Sequence, residues 1–283
     1  MNIKDYKSIF IRELLPFYDE MECESFFYLI LENKHQLRRI DLALHLNLVF
    51  SQEELAVWKE ISEKLKSEIP IQYILGTTSF YGLEIFVNPS VLIPRPETEE
   101  LVDWILNDAK NKNYTSKSIV DIGSGSGCIA ISLAKNLANA KVYALDVSEE
   151  ALQVAAKNAA FNNVEIKFLT EDILSATALP QKFDVIVSNP PYVRELEKHE
   201  IKNNVLNNEP HLALFVADED ALIFYRKIAN LAQTYLEPNG NLYFEVNQYL
   251  GQETYQLLKE IGFTNIELCK DIYGNDRMIR ASL

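Results

Sequence analysis

From Ser118 onward, short runs rich in β-branched residues alternate with longer amphipathic stretches: SIVDIG, CIAISLAKNLA, KVYALDV, EEALQVAAKNAAF, VEIKFL, FDVIVSN. A strand followed by eleven or thirteen residues of helical pattern cannot pair with the next strand through a tight hairpin. The helix must cross over the sheet and return the chain parallel to the strand it left. The alternation therefore predicts an open, mainly parallel sheet with helices on both faces. It continues after residue 210 with a helix near DALIFYRKIANLAQTYL, a strand GNLYFEV, another helix, and two strand-like pieces, TNIELCK and DRMIRASL. Between these halves, residues 195 to 210 are rich in Asn and Glu and read as a looser stretch.

The first 75 residues have a different texture. Tyr6, Ile9, Phe10 and Leu14 fall on one helical face, as do Trp58, Ile61 and Leu65. Ser51 followed by Glu54 fits a capping box, and Pro70 marks where the helix begun there must already have stopped. These signals predict a small helical domain over residues 1–75. Residues 76–96 carry alternating apolar runs broken by Gly82, Pro89, Pro94 and Pro96, a hairpin-like connector leading to a helix from about Glu97. The remainder, 97–283, is the α/β domain.

Composition excludes several function classes. The formal charge is −14 and both parts of the chain are acidic, which disfavours steering toward nucleic acid. Cys23, Cys128 and Cys269 are far apart and lack CxxC or His pairing, so they read as buried free thiols, with neither a disulfide framework nor a metal site. No basic leader followed by an apolar stretch opens the chain, and no long apolar run spans a bilayer, so a cytoplasmic protein that avoids the membrane is expected. His35, His45, His199 and His211 are scattered outside any motif that needs a base.

In open α/β sheets ligands bind beyond the carboxyl ends of the strands, and four such places are informative. In VDIGSGSGCIA, Gly123, Gly125 and Gly127 allow a sharp turn that brings backbone amides to a ligand at the next helix N-terminus. The spacing is GxGxG, which differs from the dinucleotide GxGxxG, and no Lys-Ser/Thr pair completes a phosphate P-loop. Asp146 ends the next strand about twenty residues later, where a carboxylate accepts both hydroxyls of a ribose, although Asp146 could instead cap the following helix; Ser148 is the better cap. Asp172, with Ile173 to pack a ring, suits an exocyclic adenine amine. Acidic groups without basic ones describe a pocket for a nucleoside with a zwitterionic or positive tail.

The fourth place is SNPPYV, where two prolines stiffen the loop after FDVIV. The Asn189 side-chain oxygen and the Pro190 carbonyl offer two acceptors for a planar NH₂ group, Pro191 holds the loop, and Tyr192 is placed to stack on the flat face. Such positioning supplies roughly 7 to 11 kcal/mol of barrier reduction without a strong base.

Taken in order, PIQYILG…FYGLEIFV, IPRPETEELV, DIGSGSGCIAI, Asp146 and SNPPYV resemble the HemK/PrmC family, N5-glutamine methyltransferases that act on the Gly-Gly-Gln motif of peptide-chain release factors. The resemblance covers nearly the whole chain. It implies a class I S-adenosylmethionine-dependent methyltransferase, a Rossmann-like seven-stranded sheet, behind an N-terminal helical bundle domain that docks a class 1 release factor, with S-adenosylhomocysteine as product. It implies that the methionine part of the cofactor lies on Gly123, Ser124, Gly125, Ser126 and Gly127 with Asp121 near its amino end. Asp146 would hold the ribose, Asp172 and Ile173 the adenine, and Asn189 to Tyr192 the substrate amide. Arg95, Pro96, Glu97 and Thr98 would line the entrance; Arg95 could equally pair with Glu97 or Glu99. Two departures from the family pattern, Ala221 and the Val246-Asn247 pair, bear on local loop geometry. The Asn-Pro-Pro-Tyr motif also occurs in enzymes that methylate exocyclic amines of DNA or RNA bases, the alternative reading, which the acidic charge opposes. A non-catalytic protein on the same scaffold would be expected to have lost the glycines, Asp146 or Asn189, and all are present.

Overall fold

The computed structural model describes residues 1–45, 47–111 and 117–283. The chain divides into two compact units, Met1–Gly76 with Asn203–Asn208, and Thr77–Lys202 with Glu209–Leu283.

The first unit is helical: α1 (Ile3–Leu14), α2 (Glu20–His35), α3 (Arg39–Leu44), α4 (Gln52–Lys66) and α5 (Ile71–Leu75). Its core gathers Phe10, Leu14, Phe27, Trp58 and Leu65, all essentially inaccessible. The buried stripe of α1 is Ile3, Phe10 and Leu14 with Tyr6 packed beside them, and Ile9 sits half-buried off that face. The predicted capping box forms: Ser51 Oγ accepts from Glu54 N at 3.1 Å while Glu54 Oε2 accepts from Ser51 N at 2.7 Å. Helix α4 ends at Lys66, and Pro70 stands at the N-cap of α5, a position that tolerates its missing N–H.

The second unit opens with the antiparallel hairpin β1 (Thr77–Phe80) and β2 (Leu83–Phe86), so the segment predicted as a separate connector is part of this unit. There follow α6 (Pro96–Asn111), β3 (Lys117–Ile122), α7 (Cys128–Asn136), β4 (Ala140–Asp146), α8 (Glu149–Phe161), β5 (Ile166–Thr170) and β6 (Phe183–Ser188). Next come β7 (Val193–Arg194), then α9 (Asn203–Asn208), which belongs to the first unit, and, again in the second, α10 (His211–Leu214), β8 (Phe215–Val216), α11 (Ile223–Tyr235), β9 (Leu236–Glu245), α12 (Gly251–Ile261), β10 (Thr264–Lys270) and β11 (Asp276–Ser282). The stretch 195 to 210, read as loose, holds a 3₁₀ turn at Glu195–Glu200 and the helix α9.

Seven strands form one sheet in the order β10-β11-β9-β6-β3-β4-β5. The β9-β6-β3-β4-β5 pairings are parallel, and β11 is antiparallel to both of its neighbours. The chain runs outward from β3 to β5, then returns to lay β6 on the other side of β3. That reversal between β3 and β6 opens a crevice at their carboxyl ends, where a ligand site belongs. One face of the sheet is sealed by Tyr225, Ile228 and Ala232 of α11 against Ile186, Leu242 and Phe244.

Among the described residues no helix is long and apolar enough to cross a membrane, and no group of three or more His, Cys, Asp or Glu is placed to hold a metal. Cys23 and Cys128 are buried free thiols as read; Cys269 is only half-buried. Ala221 has φ −63°, so the position where the family pattern suggests glycine does not need one.

Candidate active site

The loop after β3 is shaped by three positive-φ glycines, Gly123 (73°), Gly125 (55°) and Gly127 (79°). At Gly127 a Cβ would also meet Ala155 Cβ at 3.0 Å and Ile131 Cδ1 at 3.1 Å, so α7 and α8 approach there as only glycine permits. The loop is tied to the end of β4. Gly123 N and Ser124 N donate to the Leu145 carbonyl at 2.8 and 3.1 Å, and Gly125 N donates to Asp146 Oδ2 at 2.8 Å. Asp146 Oδ1 accepts from Ser148 N at 3.0 Å, while Ser148 itself caps α8.

A cavity of about 380 Å³ opens over this loop. Its walls come from the four predicted strand ends: Gly123–Ser126 after β3, Asp146 after β4, Asp172 and Ile173 after β5, and Ser188–Pro191 after β6. Arg95 and Thr98 also line it, together with residues of the 90–94 segment, Leu212 and Phe224. Asp172 is exposed, with Oδ1 taking Leu174 N at 3.0 Å, and Ile173 is buried beside it. Arg95 is the one cation among the described lining residues, and it is neutralised by Glu209, Nη2 to Oε1 at 2.6 Å. The pairing of Arg95 with Glu97 or Glu99 considered from the sequence does not occur. Glu209 is buried and its second oxygen accepts Ile93 N at 3.1 Å, so it also fixes the segment that carries Arg95.

Asp121 lies fully buried behind the glycine loop and contributes no wall to the cavity. Its Oδ2 accepts from Ser124 Oγ at 2.8 Å and Ala130 N at 3.3 Å, and its Oδ1 has no partner. Burial pushes this carboxyl up to about 7, against the pull of those two hydrogen bonds, and the nearby Asp146 charge adds to the rise. The structure makes Asp121 an anchor of the loop in place of a direct ligand contact.

The Asn-Pro-Pro-Tyr loop leaves β6 with Asn189, Pro190 and Pro191 at the cavity, but Tyr192 does not line it. The tyrosine packs partly against the sheet core and donates its hydroxyl to Glu245 Oε1 at 3.0 Å. Burial first, and then Glu245, hold that phenol far above the ordinary tyrosine value. Tyr192, expected from the sequence to stack on a substrate amide, thus stands outside the cavity lining with its hydroxyl tied to Glu245. Pro96 and Glu97 also lie elsewhere, in a shallow surface depression beside Trp104 and Tyr273. None of the four histidines lines the cavity.

Three polar residues near the site have no motif around them. Glu245, at the end of β9, is buried and accepts from Thr98 Oγ1 at 2.7 Å as well as from Tyr192. Asn247, one of the two departures, donates to the Tyr192 carbonyl at 2.9 Å and to Glu197 Oε2 at 2.8 Å, so it braces the loop after β6. Asn158 of α8 joins the hairpin to the glycine loop through Phe86 N, Phe86 O and the Ser126 carbonyl, at 2.7, 2.9 and 2.9 Å. A carboxylate ending the apolar run LYFE was the available sequence signal for Glu245, and the Glu-Pro pair after the looser stretch was that for Glu209; Asn158 had none.

A seven-stranded sheet with one antiparallel edge pair, a GxGxG turn after its first parallel strand, an acidic residue ending the next, and an Asn-Pro-Pro-Tyr loop at the switch point together define a class I methyltransferase. Residues 102–214 match the model of the Methyltransferase small domain, and residues 21–76 that of the PrmC N-terminal domain. Among relatives, the chain is 56% identical over 283 residues to a release factor glutamine methyltransferase of Flavobacterium psychrophilum, covering 100% of this chain and 99% of that one. It is 41% identical to the enzyme of the same name from Streptococcus pneumoniae, covering 99% and 98%. The chain belongs to the release factor glutamine methyltransferase family, and it is an enzyme. Solved structures share the fold at lower identity. The hMettl16 catalytic domain in complex with a 3′UTR hairpin superposes with TM-score 0.55 at 17% identity, covering 83% of each chain. A T. thermophilus 16S rRNA N2 methyltransferase in complex with AdoMet and guanosine gives 0.53 at 20%, covering 73% of this chain and 49% of that one.

Proposed function

We propose that the cavity binds S-adenosylmethionine and that the chain methylates the side-chain nitrogen N5 of the glutamine in the Gly-Gly-Gln motif of class 1 peptide-chain release factors. The donor set fits that cofactor. The cavity presents Asp146 and Asp172, while the one cation among its described lining residues is already paired with Glu209, which suits a nucleoside with a cationic tail and disfavours a polyphosphate. Asp146 would hold the ribose hydroxyls, Asp172 and Ile173 the adenine, and Gly123 to Ser126 the amino-acid end, with Gly127 and Asp121 supporting that loop from behind. When bound, S-adenosylmethionine supplies an electrophilic sulfonium methyl and leaves as S-adenosylhomocysteine.

What the chain's own residues do is orient. Asn189 accepts an N–H of the substrate amide, Pro190 and Pro191 hold the loop stiff, and Tyr192 and Asn247 brace it from the core side. Arg95 and Thr98 border the same cavity. A substrate presenting an acceptor in place of that NH₂ would meet another acceptor and be rejected by something on the order of 10⁴-fold. The helical N-terminal unit docks the protein substrate, and the enzyme works in the cytoplasm, where release factors act. The observation that carries the reading is Asn189, lining the cavity directly after β6 with its Nδ2 committed to Thr98 Oγ1 at 3.4 Å.

The test is transfer of labelled methyl from S-adenosylmethionine to purified release factor, beside a Gln→Glu variant of its Gly-Gly-Gln motif and beside DNA and RNA. Label in the unmodified factor alone is the expected result. Label in nucleic acid would keep the cofactor pocket and replace the substrate with a base exocyclic amine.

A further inference from the structure

Thr98 Oγ1 lies 2.7 Å from Glu245 Oε2 and 3.4 Å from Asn189 Nδ2. Glu245 is 1% exposed, and its other oxygen takes the Tyr192 hydroxyl at 3.0 Å. Burial raises the Glu245 carboxyl above the ordinary carboxylate range, while the Thr98 and Tyr192 hydroxyls and the Arg277 charge pull it back toward the ionised form; as a carboxylate it has no proton to give, so both hydroxyls donate to it. A threonine hydroxyl carries a single proton. With that proton committed to Glu245, Thr98 meets Asn189 with lone pairs only, and the amide must answer with N–H. The polarity thus follows from counting protons, independently of how the two ends of an amide are told apart by shape. Asn189 lines the cavity, and with Nδ2 committed to Thr98 the acceptor Oδ1 is the arm of the fork that this bond does not use.

We infer that Glu245, acting through Thr98, selects the orientation of the Asn189 amide so that an acceptor faces the substrate, making Glu245 and Thr98 positioning residues for methyl transfer. The inference rests on reading Asn189 as the acceptor for the substrate amide. It assigns to Thr98, on α6, and Glu245, at the end of β9, a task that neither performs by touching the reacting atoms.

Four single variants and one double variant test it, using full-length enzyme, release factor as substrate, and calorimetry with S-adenosylmethionine to establish that each variant folds and binds. Thr98→Val, which keeps shape and deletes the hydroxyl, is expected to lower kcat on the order of 10²-fold, the scale of a misoriented reacting group. Thr98→Ser, which restores the hydroxyl, is expected to return kcat to within about threefold of the parent, since the hydroxyl alone carries the orienting bond. Glu245→Met frees the Thr98 proton to point at Asn189 and is expected to lower kcat by more in the parent than in the T98V background, where only the loss of the Tyr192 brace is left to act. Near-normal kcat in T98V, failure of T98S to rescue, or a fully additive E245M penalty would each overturn the inference. Should E245M fail to fold, the T98V and T98S pair decides. Asn189→Ala in the same assay separates the two levels: full activity there sinks the acceptor reading itself, whereas loss there with normal T98V activity sinks only the orienting relay.

Discussion

Replacing Asp121 by Asn should change how stability depends on pH, by an amount the structure sets. In the native protein the carboxyl is enclosed, its Oδ1 unpartnered, and burial lifts it from 3.8 to about 7. For an acid whose folded value is raised, the native state keeps a proton that the unfolded chain has lost between those two values. Stability contributed by this group is therefore present at low pH, falls as pH rises from about 4 to about 7, and is flat above. Each pH unit across which the two states differ by one proton is worth about 1.4 kcal/mol, so the whole window carries about 4 kcal/mol and the part above about pH 5 carries about 3. Asparagine has the same shape, its Oδ1 accepts from Ser124 and Ala130 as Asp121 Oδ2 does, and it never ionises. Other titrating groups contribute equally to both proteins and cancel in the difference. Urea unfolding of parent and variant at about pH 5 and pH 8 should show the variant gaining about 3 kcal/mol relative to the parent on going to the higher pH. A difference that stays the same at both values would mean that Asp121 is ionised throughout and that its enclosure is not what the geometry indicates.

Three further outcomes follow from the same contacts. Gly127→Ala forces a left-handed backbone at φ 79° and drives a Cβ against Ala155 and Ile131; it should cost about 2 kcal/mol in a denaturation midpoint series and weaken cofactor binding. Glu209→Gln removes the buried charge that holds Arg95 and accepts Ile93 N; stability should fall by about 1–3 kcal/mol, and calorimetry should show weaker cofactor binding because an unpaired cation then faces the cavity. Asp146→Ala takes away the acceptor at the end of β4 and should weaken the cofactor by about tenfold or more, so an unchanged affinity by calorimetry would remove Asp146 from the ribose site.

Much of the fold is legible because it is written in local periods. Strand and helix patterns from Ser118 onward specify the parallel crossovers, and Ser51 with Glu54 specifies a helix start. The glycines and prolines are legible for the same reason: a residue lacking Cβ or N–H restricts its own backbone whatever surrounds it. Boundaries drifted where tertiary contacts took over. The α11 helix begins at Ile223, after a separate 3₁₀ turn at Asp218–Asp220, and β9 extends back to Leu236 along β6.

The amino-acid sequence by itself determined which strand ends would line the cavity, since Gly123 to Ser126, Asp146, Asp172 and Asn189 each stand at or just beyond the end of a strand that the pattern identifies. Only the tertiary structure decided what those residues bond to. Tyr192 turned inward because β9 lies beside β6 and ends in Glu245, 53 residues away, and Arg95 paired with Glu209 across 114 residues. A period of two tells a strand which face a side chain takes; the neighbour it meets there depends on the sheet order, which is settled by packing across the whole unit.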